Sequence, residues 1–190
     1  MEPTEQLAVI LPTIVDIVDR IDADQLGAPT PCANFDVQGV LDHLIAGAST
    51  FVPAFRGETT GDAPGPGAHP STPPGQVPVT EFASVMSDLL DAVNSPGAMD
   101  RMIDAPFGTV PGSVFARFVA YDGLIHGWDL ATSTGQTYTL PDELVGEVSA
   151  FAHEALGPDM RDGDTFAAAT TAPTGAGALV ELVAFSGRTV

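Results

Sequence analysis

The sequence predicts a mainly α-helical protein in which several amphipathic helices pack around one core. Apolar residues recur at three- and four-residue spacing in a series of long stretches, which is the period of a helix with one buried face. Stretches rich in glycine and proline separate these segments. With 44% hydrophobic and 16% charged residues, the 190-residue chain has the composition and length of a single globular domain.

The first two predicted helices each carry one apolar stripe. The first extends over about residues 4–20, and a loop with glycine and proline breakers follows over 22–35. The second helix extends over about 36–55, with Asp36 as a suitable N-cap. His43 lies at the edge of the second stripe, so its imidazole is predicted to face the interior of a bundle, or nearly so.

Residues 57–78 are dense in glycine and proline and have no hydrophobic periodicity. Loops of this length are usually functional or disordered, so a flexible surface loop is predicted here. The third helix is predicted to begin near Thr80 and to end at Val93, before an Asn-Ser-Pro-Gly stop signal. A short connection over about 98–110 is expected to contain a little extended structure at Arg101–Ile103.

The fourth predicted helix, over about 113–133, follows a Pro-Gly-Ser start signal and ends at Thr-Gly. A fifth helix is predicted with Pro141 in its first turn. An extended stretch at Thr165–Ala172 and a short apolar helix at Ala178–Phe185 come next. The ordered part of the chain is expected to end at Arg188.

The candidate chemistry lies in the fourth helix, where Asp122 and His126 are four residues apart. Their side chains therefore project from adjacent turns of one face. The pair falls on the apolar stripe rather than opposite it, where an unpaired charge costs several kcal/mol. A divalent metal ion would satisfy both groups, and so would a hydrogen bond between a neutral histidine and the carboxylate. The spacing alone leaves both interpretations open.

A second core-facing histidine, His43, favours the metal interpretation. Helix bundles commonly build metal sites from side chains on facing helices. His43, Asp122 and His126 would supply two imidazoles and one carboxylate, with a coordination position left open as in catalytic zinc sites. The same ligand types suit iron or nickel, so the ligands do not fix the metal.

Three segments together resemble a known family. They are CANFDVQGVLDHLIAG (32–47), YDGLIHGWDLATSTGQ (121–136) and the terminal FSGR (185–188). They are similar to the actinobacterial metal-binding proteins related to mycothiol-dependent maleylpyruvate isomerase, within the wider DinB-like superfamily. HGWDLA followed by TGQ is the specific marker, and the resemblance covers most of the chain apart from the glycine–proline loop. It implies a single DinB-like four-helix bundle over residues 1–190.

The resemblance also implies a divalent metal, usually zinc or nickel. Its ligands would be His43, His126 and the residue four positions before the second histidine. In the isomerase that residue is typically a glutamate, whereas this chain has Asp122, which is one methylene shorter. Asp129 is predicted to accept a hydrogen bond from a ligand imidazole and so to orient it. His153, near the end of the fifth helix, is not expected to be a ligand.

The function expected from these residues and the resemblance is a metal-dependent thiol transferase or isomerase that acts on a small molecule. The resemblance implies mycothiol as a possible thiol cosubstrate, and a metal would lower the pKa of its sulfhydryl group. The isomerase's additional C-terminal domain has no counterpart in this sequence, so the isomerase's own reaction is not expected. A metal-binding or stress-related protein without catalysis is one alternative, and a purely structural Asp122–His126 pair is another.

The charge balance excludes several partners. Acidic residues number 25 against 6 basic residues, all arginine, and the net charge of −19 leaves no basic patch for nucleic acid or anionic membranes. No apolar run is long enough to span a membrane, and the acidic N-terminal stretch differs from a signal peptide, so a cytoplasmic protein is expected. The lone Cys32 excludes an internal disulfide and is expected to be a small buried thiol. The sequence leaves a homodimer open.

Overall fold

A computed structural model describes residues 1–58, 75–105, 107–161 and 167–190. The prediction of a mainly α-helical, DinB-like bundle is confirmed. The helices are α1 (Pro3–Val18), α2 (Val37–Arg56), α3 (Val79–Val93), α4 (Gly112–Ser133), α5 (Asp142–Ala155) and α6 (Ala178–Phe185). Strands β1 (Met102–Ala105) and β2 (Gly108–Pro111) form a short antiparallel hairpin between α3 and α4. Single 3-10 turns occur at Ala23–Gln25 and Pro158–Met160.

The bundle consists of the first four helices. Helix α1 packs against α3 and α4, and α2 packs against α3 and, less extensively, α4. Fully buried side chains from all four helices meet in the core, among them Ile10, Leu41, Phe82 and Leu124. Helix α5 packs against α4, and α6 packs against α5, so the C-terminal part extends the bundle on the α4 side.

Helix α4 is buried on almost every side. Between Val119 and Ala131, only Asp122 and Trp128 are more than slightly exposed. This differs from the single apolar face predicted from the sequence, because α1, α2 and α5 all pack against this one helix. The candidate pair therefore lies on the most enclosed helix of the protein, with Asp122 at one of its few exposed positions.

The predicted helix boundaries are close to the observed ones. Asp36 caps α2 as predicted, since its side chain accepts a hydrogen bond from the amide of Gly39 at 2.8 Å. Helix α1 begins at Pro3 rather than Thr4, because the amide of Glu2 donates to the carboxylate of Glu5 at 2.8 Å and completes the N-terminal turn.

Three connecting segments bear on the remaining predictions. The extended structure expected at Arg101–Ile103 is a complete hairpin whose first strand begins at Met102. The extended stretch expected at Thr165–Ala172 forms no strand in its described part, residues 167–172, where the amide of Thr170 donates to the carbonyl of Ala184 in α6 at 2.9 Å. Most of the flexible loop predicted at 57–78 lies outside the described residues. Within the described ranges, no helix is both long and apolar enough to cross a membrane.

Gly127, which follows His126 in α4, lies so close to Tyr138 that no side chain fits at this position. A Cβ atom at this position would lie 2.6 Å from the hydroxyl oxygen of Tyr138 and 2.8 Å from its Cζ atom. The tyrosine ring thus packs directly on the backbone of α4. Its hydroxyl is buried without a hydrogen-bond partner among the described residues, and burial raises the pKa of Tyr138.

We expect Gly127→Ala to lower the free energy of unfolding by about 1–3 kcal/mol, because the added methyl group overlaps the Tyr138 ring. Gly146→Ala is the matched control. Gly146 also lies inside a helix, α5, but a Cβ there meets nothing within 4 Å. The control should gain up to about 1 kcal/mol from the better helix propensity of alanine. Urea unfolding measures both variants, and a stabilised Gly127→Ala would contradict the packing of Tyr138 on α4.

Candidate metal centre

The candidate site runs from the buried core to an exposed edge. His126 is 5% exposed within α4. One turn earlier, the side chain of Asp122 is 43% exposed, and that of His43 on the facing helix α2 is 37% exposed. The site therefore has one fixed, enclosed imidazole and two groups at an opening that a small molecule can reach.

The structure brings the three predicted ligand residues together. Nε2 of His43 lies 3.3 Å from both carboxylate oxygens of Asp122, and Nε2 of His126 lies 3.6 Å from Oδ1 of the same carboxylate. The two imidazole centroids are 4.8 Å apart. One potential ligand atom from each residue lies within 4.8 Å of the other two. Their role as ligands stays a prediction, but their proximity is a property of the fold.

The spacing of these atoms fits a divalent cation. Two donors that each lie about 2.1 Å from a tetrahedral zinc ion are about 3.4 Å apart. The distances of 3.3 Å and 3.6 Å from Asp122 to the two imidazoles are close to that value. Asp122, although shorter than glutamate, therefore reaches both histidines.

Asp129 determines how His126 presents its ring. The carboxylate of Asp129 is completely buried, and its Oδ2 lies 3.0 Å from Nδ1 of His126. Because an ionised carboxylate can only accept a hydrogen bond, this contact assigns the proton to Nδ1. The lone pair of Nε2 then points towards Asp122, as a metal ligand requires.

Arg188 balances the charge of Asp129. Its Nη2 donates to Oδ2 at 2.9 Å and its Nε donates to Oδ1 at 3.3 Å, a two-point contact between guanidinium and carboxylate. Arg188 was expected only to mark the end of the ordered chain. Instead, its side chain is 15% exposed and turns back onto α4. Burial alone would lower the pKa of Arg188, but the contact with Asp129 outweighs burial and raises it.

The exposed edge carries an ion pair. The charge of Asp122 raises the pKa of His43 above its usual value, although burial opposes this shift. Burial would likewise raise the pKa of Asp122, but the neighbouring imidazoles of His43 and His126 hold it well below its usual range. When no cation is bound, the raised pKa of His43 favours its protonated form. The imidazolium then supplies the positive charge next to Asp122 that a metal ion would supply.

The loop before α2 covers the other side of the imidazoles. Phe35 stacks on His43 with ring centroids 5.3 Å apart and meets His126 edge-on at 6.1 Å. Cys32 has its sulfur within 4.8 Å of donor atoms of His126 and Asp129. It is partly exposed, not buried as expected. Nothing in the periodicity of the sequence could place these two loop residues against α4.

Other residues considered from the sequence lie away from this cluster. His153 on α5 is exposed, and its Nδ1 lies 2.9 Å from the carbonyl oxygen of Ser149. Its ring stacks on Phe185 at 3.8 Å. Trp128 is partly buried against the core. Neither residue belongs to the group formed by His43, Asp122 and His126 in the described part of the chain.

Comparisons with known proteins give the family context of the site. The family described as mycothiol maleylpyruvate isomerase N-terminal domain matches residues 10–131, a range that includes both histidines, Asp122 and Asp129. Two proteins of Mycobacterium tuberculosis, the uncharacterized protein MT0763 of strain CDC 1551 and the uncharacterized protein Rv0738 of strain H37Rv, are each 35% identical over 176 residues. The alignments cover 92% of this chain and 91% of each relative. No solved structure gave a significant match.

We expect Arg188→Ala to lower the free energy of unfolding by about 3 kcal/mol, because it leaves the buried charge of Asp129 without the guanidinium that balances it. Arg20→Ala is the control. Arg20 is exposed, and in the described part of the chain its side chain bonds only to Gln136, so its replacement should change the free energy of unfolding by no more than about 0.5 kcal/mol. Urea unfolding at neutral pH compares the two variants. Equal, small losses would show that Asp129 and Arg188 are not paired in solution.

Proposed function

This chain belongs to the family of the mycothiol maleylpyruvate isomerase N-terminal domain, and we propose that it is a divalent-metal-binding enzyme that acts on a small molecule through a low-molecular-weight thiol. One observation carries the proposal. Two imidazole nitrogens and a carboxylate from facing helices lie within 4.8 Å of one another, at the edge of an otherwise apolar core. The relatives named above are described as uncharacterised, so they supply no substrate.

Each of the three residues would have a separate role in binding the cation. His126 would be the fixed ligand, since Asp129 holds its Nδ1 proton and directs Nε2 outward. Asp122 and His43 would complete the set from the exposed edge. Zinc is the first candidate for two imidazoles and one carboxylate, and nickel or iron also suits this set.

A bound cation would supply the positive charge that favours the ionised form of a thiol next to it. Mycothiol, the thiol in the family's name, is the cosubstrate that we propose. In a transfer reaction, the sulfur forms a bond to an electrophilic carbon and the leaving group departs with the electron pair of the broken bond. The thiol proton passes to solvent, which reaches the site at the partly exposed Asp122 and His43.

We expect the purified protein to bind zinc stoichiometrically by elemental analysis. His43→Ala and His126→Ala should each weaken zinc binding by about a hundredfold or more, beyond the effect known for residues that only orient a ligand. His153→Ala, which removes an exposed histidine outside the cluster, should leave the affinity unchanged. A chelator competition assay gives the dissociation constants. If neither site variant changed them, the three residues would form a structural cluster only.

Turnover distinguishes an enzyme from a protein that only binds metal. We expect the zinc-loaded protein, mycothiol and a small electrophile to form a thioether with saturation kinetics, and the rate to fall to the uncatalysed level in His126→Ala. The His153→Ala variant should retain the full rate. Stoichiometric zinc without turnover, across a panel of electrophiles and with nickel or iron in place of zinc, would instead favour a metal-binding protein without catalysis.

A further inference from the structure

A cavity of about 180 Å³ adjoins the candidate metal centre. His43 and Asp122 form part of its wall, and the aromatic rings of Phe51, Phe107, Phe115 and Phe118 form much of the remainder. Apart from His43, Asp122 and Tyr121, every described residue that lines it is apolar. The cavity therefore has one polar end, at the proposed ligands, and an apolar interior.

Small residues form part of the cavity wall. Gly47 and Ala48 on α2 and Gly123 on α4 line it. A Cβ at Gly47 would lie 3.2 Å from the ring of Phe51, which also lines the cavity, so a side chain there would crowd this wall. A ligand that occupies an apolar cavity and binds only the folded protein stabilises the fold.

We propose that this cavity binds a single aromatic ring of the molecule that the enzyme acts on, with the reacting atom of that molecule at the His43–Asp122 end. This inference rests on the proposed function and specifies its substrate class, an uncharged aryl electrophile. A cavity of about 150 Å³ holds benzene in an engineered protein, whereas drug-sized ligands occupy about 300 Å³ or more. The volume of 180 Å³ thus suits a single aromatic ring.

The polarity of the lining also favours an uncharged aromatic ligand. No arginine is among the described residues that line the cavity, and its basic side chain, His43, lies at the polar end next to Asp122, so the apolar interior would not neutralise a buried anion. The chain as a whole has a net charge of −19, which disfavours the approach of an anionic substrate. The four phenylalanine rings can instead meet a bound ring edge-on or offset, which are the favourable geometries for aromatic pairs.

The first test uses toluene and the metal-free protein, so it does not depend on zinc or on activity. Ligand-observed NMR gives the dissociation constant. Ala48→Leu extends a side chain into the cavity and should weaken toluene binding by about tenfold or more, through loss of the space that buries the ring. Ala54→Leu makes the same change on the same helix, at a position outside the cavity lining, and should leave toluene binding within about twofold.

A second variant keeps the test decisive if Ala48→Leu does not fold. Phe118 is only partly buried, so Phe118→Ala should fold while it enlarges the cavity. It should bind 1-methylnaphthalene about tenfold or more tightly than the unmodified protein does. Absence of toluene binding to the unmodified protein, or no change in either cavity variant, would overturn the inference.

The third measurement tests whether a ring bound in the cavity places its substituent at the metal site. In the zinc-loaded protein, phenylmethanethiol should bind about tenfold or more tightly than ethanethiol, because the ring enters the cavity while the sulfur stays at the polar end. Equal affinities would overturn the link between cavity and site.

Zinc uptake without toluene binding would overturn this inference alone. Toluene binding to a protein that takes up no zinc would instead remove the proposed function and leave an aryl-binding cavity.

Discussion

The buried carboxylate of Asp129 is the group on which the rest of the site depends. A completely buried charge is costly, and here it is satisfied by the guanidinium of Arg188 on one side and by Nδ1 of His126 on the other. The same contacts do two further things: they fix the tautomer and direction of the imidazole, and they hold the segment after α6 against α4. The candidate ligand His126 and the segment after α6 are therefore both held by contacts with the Asp129 carboxylate.

The enclosure of α4 explains why the site can be both rigid and accessible. Three neighbouring helices pack against α4, and Tyr138 packs on Gly127, so His126 has little freedom to move. One turn earlier, Asp122 emerges at an opening shared with His43 and the apolar cavity. A fixed imidazole beside a more exposed pair is an arrangement that can bind a cation and still admit a second molecule.

Local signals in the sequence predicted the helices well, because three- and four-residue periodicity and capping residues such as Asp36 are properties of short segments. The cluster of His43, Asp122 and His126 could be anticipated because each residue falls on or near a buried helical face. The contact between Arg188 and Asp129 could not, since it joins positions 59 residues apart and depends on how the chain turns after α6. Phe35 and Cys32 were missed for a similar reason: they lie in a loop, where no period indicates which way a side chain faces.

Asp122 occupies a position where the isomerase that this chain resembles typically has a glutamate, and its shorter side chain still lies next to both imidazoles. Its carboxylate already lies 3.3 Å and 3.6 Å from the two imidazole nitrogens, so a longer side chain is not needed to reach either one. Asp122 also forms part of the cavity wall. An additional methylene would have to extend towards the imidazoles or into that space. The shorter carboxylate therefore reaches both imidazoles and leaves volume in the adjoining cavity.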